Sequence, residues 1–289
     1  MDATWSERLD LFRFALAAAA CAGIVCPLVG AFLFVRRTSF YGITLPQFAT
    51  AGVVCGFVAL PWWAAHIGLG GIDVDVALTD SHAAMNYHLA WAAAFTFGGL
   101  VALVLWSRKG GSEVGRVAAA FAIANAATYL LGRASPIGKS LVDELLQGEI
   151  LGVGLHEFET LAVAFALVLA VLLVYQRDFL IVSYDRESAR VLGKRVVAFE
   201  TLLTAATGIT IAVGTMTLGP TLVFGLLVLP PLAARNWARS MPAFLALSAL
   251  FGTAAVIGGI VASFELDLPL GAAIVGVAAL LLLVRRWRG

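Results

Sequence analysis

Long apolar runs alternate with short polar gaps along this chain. Nine stretches can be drawn, at residues 11–35, 41–61, 89–106, 117–132, 155–175, 198–215, 219–234, 242–263 and 268–284. A helix needs roughly 20 apolar residues to cross the hydrocarbon, and only helices or closed barrels satisfy their backbone there. The pattern therefore predicts an all-α, polytopic transmembrane helical bundle filling one domain, 1–289. Gly219 and Pro220 separate neighbouring stretches so closely that one reads as a half-helix, so the expected count is eight or nine spans.

Charge orients the bundle. Fifteen of the nineteen Lys and Arg residues occupy alternate gaps: Arg36-Arg37, then Arg108 to Arg116, then Arg177 to Arg195, then Arg235 and Arg239, then Arg285 to Arg288. The opposite gaps hold Asp73, Asp75 and Asp80, then Asp143, Glu144, Glu149 and Glu157, then Glu265 and Asp267, with Lys139 as the base among them. Cytoplasmic loops carry the excess of bases, so nine spans put the N-terminus outside and the C-terminus inside. Arg8 and Arg13 run against the rule, beside Glu7 and Asp10. A multi-pass inner-membrane location is expected. Seven tryptophans near the run ends read as interfacial anchors.

Composition narrows this little further. The chain is 61% hydrophobic and 13% charged, with mean hydropathy +0.94, against about 25% charged in soluble domains. A net charge of +1 gives no reason to expect nucleic acid. Cys21, Cys26 and Cys55 lie in apolar runs without metal-finger spacing and read as small packing residues. The first run is too long for a cleavable signal. Two outer segments look like more than connectors: an insertion at 62–88, and 134–154, whose glycines and acids suggest a cavity mouth or a re-entrant piece.

The cytosolic segment 177–196 is the most informative loop. Asp185 can cap a short helix with Glu187 in its first turn, and Gly193 can end it. The residues alone leave a functional surface helix and a merely topological basic loop evenly matched. Gly132 to Ser140 ends like a phosphate-binding loop, but has five residues between glycines where that motif needs four. It also falls on the outer side. The chain is therefore expected to perform no chemistry and to bind no nucleotide.

Asp185-x-Glu187-x-Ala189-x-x-x-Gly193 resembles the coupling helix of ATP-binding cassette (ABC) importer permeases, and more closely the family importing zinc, manganese or iron. Gly30 to Gly42 resembles that family's first-span ending, Gly214 to Pro231 its "Gly…Leu-Val…Ala-Leu-Leu-Ile-x-Pro" stretch, and Asp267 to Ala272 its "Asp-x-Pro-x-Gly" lead into the last span. The resemblance runs from about residue 23 to the end, except 62–88. It implies a homodimer with a pathway at the dimer axis. It also implies a cytosolic ATPase docked at 185–193 that binds ATP and Mg, and an extracytoplasmic substrate-binding protein; no cofactor belongs to this chain.

The chain departs from the family where Asp-x-Leu-x-His usually follows the glycine at Gly42. Here Ile43 and Gln47 stand in those positions, leaving Thr44 and Gln47 as neutral oxygens on the translocation path. A dehydrated divalent cation prefers anionic or imidazole ligands, so the metal site is unassigned. Pro46 reads as an ordinary kink, His82 and His88 as residues of a solvated outer loop, and His156 as interfacial. Asp143, Glu144 and Glu149 form an outer acidic rim. Thr204 to Thr215 fit close packing with interhelical hydrogen bonds. An ABC permease for a non-metal substrate is one alternative. Another is an ion-coupled secondary transporter, which would want ionisable residues at mid-membrane. An intramembrane enzyme would need a nucleophile–base constellation that these histidines do not offer.

Overall fold

The computed structural model describes residues 10–36, 38, 41–66, 85–107, 112–134 and 153–283. Eleven helices cover them: α1 (Arg13–Val35), α2 (Tyr41–His66), α3 (Met85–Ser107), α4 (Glu113–Ala134), α5 (Leu155–Val174), α6 (Gln176–Tyr184), α7 (Arg186–Val191), α8 (Val196–Leu218), α9 (Pro220–Arg235), α10 (Met241–Leu266) and α11 (Leu270–Leu283). Seven are long and apolar enough to cross a membrane: α1, α2, α3, α4, α5, α8 and α10. The stretches at 219–234 and 268–284 form the shorter apolar helices α9 and α11.

Helices in lipid associate through close packing, so small residues mark their crossings. On α1, Ala15, Ala18, Ala19, Ala22 and Cys26 are buried. A Cβ on Gly30 would strike the Leu227 carbonyl of α9, and one on Gly252 of α10 would strike the Gly23 carbonyl of α1. These contacts hold α1 against α9 and α10, while α11 closes over α9 and α10. On the other side α2 packs on both α3 and α4. Helix α8 lies between the two groups, touching α1, α2, α3, α5 and α9.

Gly219, at φ 81, turns α8 into α9, with Pro220 at the helix start. Asp267, at φ 52, ends α10, a conformation Asp tolerates better than most residues. Pro46 is buried inside α2, which continues through it as helix. Arg133 lies in the last turn of α4, a second base beside Lys139 in the sequence of a gap expected to face outward.

Three expectations change. Helix α2 continues to His66 and α3 starts at Met85, so helix occupies both ends of the 62–88 insertion. His88 is not a solvated loop residue: it lies in α3 with 1% exposure, stacked on Phe57 at 3.8 Å. The hydrogen bonds of Thr207 and Thr210 on α8 are not interhelical. Thr207 donates to Leu203 and Thr210 to Ala206, both in their own helix. An i−4 carbonyl is nearer than any neighbouring helix. Close packing does hold there, with Gly208 against Phe97 of α3.

Candidate functional site

The loop between α5 and α8 is folded. Helix α6 leaves α5 at Tyr175 and buries Phe179 and Val182. Phe179 meets Phe32 of α1 edge-on at 5.9 Å and Phe199 of α8 at 6.1 Å, so α6 is held to two spans.

Asp185 is extended and caps α7: its Oδ1 accepts from the Glu187 N–H at 2.9 Å and the Ser188 N–H at 3.2 Å. The Ser188 hydroxyl also donates to it, and this bond is the first cause holding the Asp185 carboxyl below its ordinary range. The far end of α7 closes as a Schellman motif. The Gly193 N–H donates to Arg190 at 2.9 Å and the Lys194 N–H to Ala189 at 3.0 Å, with Gly193 at φ 72. Ala189 is fully buried between Val182 and Val196. Ion pairs tie the loop to its roots, Arg186 to Glu200 of α8 and Lys194 to Asp178 of α6, the latter at 2.6 Å.

The four residues of the coupling-helix pattern therefore divide by task. Asp185 and Gly193 shape the helix ends, and Ala189 seats it. Glu187 is exposed and pairs with Arg190 at 2.7 Å. The residues sequence reasoning missed are apolar: Tyr184, Val191 and Leu192 are 79%, 89% and 64% exposed. Their signal was legible as bare Val-Leu and Tyr within a charged loop, where burial offers no reason for them.

On α2 the structure separates two residues expected together. Thr44 is buried and donates to the Val117 carbonyl of α4 at 3.2 Å. Ile43 and Gln47, four apart, share another, half-buried face. The Gln47 Oε1 is buried without a hydrogen-bond partner. Asp143, Glu144, Glu149 and His82 lie outside the described residues. His156 is exposed, and Glu157 is engaged at the start of α5, accepting from the Gly154 N–H at 3.0 Å. Among the described residues no three His, Cys, Asp or Glu side chains gather as a metal site.

A bundle with seven helices long and apolar enough to cross a membrane, carrying a short charged helix pinned at the ends of two of them, has the architecture of a multi-pass membrane protein. The chain belongs to the ABC 3 transport family, whose pattern matches residues 8–289. It is 25% identical over 297 residues to the manganese transport system membrane protein MntC of Halalkalibacterium halodurans, covering 95% of this chain and 90% of that one. It is 27% identical over 257 residues to the zinc transport system membrane protein TroC of Treponema pallidum, covering 84% and 76%. Its fold is similar to PsaBC from Streptococcus pneumoniae solved with a Fab, at TM-score 0.76, 22% identity and coverage of 96% and 92%.

Proposed function

We propose that this chain is the membrane-spanning subunit of an ABC importer for divalent metal ions such as zinc, manganese or iron. Helices α9 and α11 complete nine spans in the inner membrane, with α7 on the cytosolic side. Two copies form the pathway between them, and a substrate-binding protein delivers cargo to the outer face. A separate ATPase binds ATP and Mg and docks on Val191, Leu192 and Glu187. Its cycle moves α7, and the rigid ties to α6 and α8 carry that motion into the spans as alternating access.

The observation that carries this reading is the pinned α7 with bare apolar side chains. A loop that only set topology would gain nothing from a cap, a Schellman motif and two ion pairs holding exposed apolar residues in place. The names of the relatives support a metal cargo. Ile43 and Gln47 support the second reading, a non-metal substrate, because neither supplies an anionic or imidazole ligand.

Copurification tests the first reading: the ATPase from the same operon, expressed with this chain, should hold to it. The double change V191D/L192D should weaken that association at least tenfold. An ATPase that ignores the wild-type chain sinks the proposal. Cargo is settled by titrating the partner binding protein with zinc, manganese, iron and a neutral ligand.

A further inference from the structure

Beside α7, at the end of the bundle that the charge pattern places in the cytosol, three spans enclose a groove made of two overlapping clefts and a neighbouring hollow. Its upper section is a cleft of about 620 Å³ between the end of α1 and the start of α10, walled by Phe34, Val35, Met241 and Phe244 and edged by Arg235 and Arg239. A second cleft, of about 650 Å³, shares Val35, Tyr184 and Met241 with it and reaches along α6 to Asp185. Immediately below Met241, at Pro242, a third hollow of about 220 Å³ runs over Leu28 and Phe32 of α1, between Leu172 and Leu173 of α5 and Ala246 of α10. Leu28 lies seven residues before the end of α1, or about 10 Å into the bilayer at 1.5 Å per residue.

The groove has two chemistries in one order. Its lower section is lined by apolar side chains, Gln176 apart, at the depth of acyl chains. Its upper edge is cationic at the depth of headgroups, where Trp237 also sits. Among the described residues neither Arg235 nor Arg239 has a carboxylate within ion-pair distance, whereas Arg186, Arg190 and Lys194 of the neighbouring loop are all paired. The Arg235 guanidinium rests 5.2 Å from the Phe34 ring centroid, which orients it across the cleft mouth. The N-terminus of α10, capped by Ser240, adds partial positive charge at the same edge.

We propose that this groove binds one inner-leaflet anionic phospholipid, its phosphate held by Arg235 and Arg239 and an acyl chain laid over Leu28 and Phe32. A zwitterionic lipid has the same tails but an added cation facing the two guanidinium groups, so charge complementarity selects the anionic headgroup. The occupant touches Tyr184, the residue before the Asp185 cap, and so contacts the root of α7. The proposal rests on this face being cytosolic and in the membrane; it does not depend on the cargo.

Native mass spectrometry of the full chain, released from nanodiscs of phosphatidylglycerol mixed equally with phosphatidylcholine, reads the bound lipid directly. One retained phosphatidylglycerol per chain is expected, at least tenfold over phosphatidylcholine. Arg235→Gln with Arg239→Gln should remove the preference. Ala246→Phe, at an exposed groove position that keeps both charges, should reduce retention of either lipid. Arg116→Gln, in the first turn of α4 and away from the groove, should change nothing. Equal retention of both lipids by the wild type overturns the proposal. So does a preference that survives the double arginine change, or one lost equally with Arg116→Gln. Thermal unfolding in detergent confirms that each variant remains folded. A chain that never enters nanodiscs refutes the membrane reading instead, so the two failures are distinct.

Discussion

Asp185 shows how much one side chain can organise. Its carboxylate satisfies two N–H groups that open a helix too short to sustain itself. Because the folded-state pKa is depressed, the cap's contribution is present above the unfolded value and is lost as pH falls through the lower, folded one. Amide protection at Glu187 and Ser188, followed by hydrogen exchange, should therefore stay level from neutral pH down to the ordinary carboxylate value, decline as pH drops below it and be lost once pH passes the depressed folded value. Asp185→Ala should abolish that protection at every pH. Gly193→Ala forces a side chain into a left-handed conformation costing about 1–2 kcal/mol. It should also uncouple ATP hydrolysis from uptake, as should loss of Glu187, without unfolding the bundle. Normal uptake in both variants would remove α7 from the mechanism. Of these residues, Asp185, Glu187 and Gly193 were legible because capping and termination are local. Ala189 was noticed only as one member of a pattern; its burial against Val182 and Val196 depends on helices from both sides of the loop.

At the scale of elements, helix crossings are where the bundle is least forgiving. Gly30→Leu inserts a side chain into the Leu227 backbone, where neither partner can yield, and overpacking of this kind costs about 1–3 kcal/mol or more. Gly98→Ala meets nothing within 4 Å and should leave stability unchanged or raise it by about 0.5–1 kcal/mol through helix propensity. Thermal unfolding in a fixed detergent separates the two. Nothing in the residue pattern distinguishes these glycines, since both sit in apolar runs. Only the approach of a second helix does. His88 illustrates the same limit. Its neighbours in the chain placed it beside a polar segment, but Phe57 of α2 supplies its stacking surface.

For the whole molecule, the separation of conduit from motor is the central expectation. Ile43→Asp with Gln47→His should raise divalent-metal affinity, measured by metal retention on the purified subunit. No change would place the path elsewhere than this face of α2. Thr44 is buried toward a different neighbour from Ile43 and Gln47, its hydroxyl donating to the Val117 carbonyl of α4.

The membrane class and the position of the charged helix followed from the order of apolar and charged residues alone, and the orientation expected for the loops rests on that same order. Hydrophobic thickness and the placement of charge act on each segment separately, whatever its neighbours are. Which threonine faces a helix and which face carries Gln47, whether His88 is wet or buried, and how α1, α5 and α10 leave a lipid-sized groove were decided only by tertiary structure. Those features depend on distances between segments far apart in the chain, and close packing sets such distances collectively.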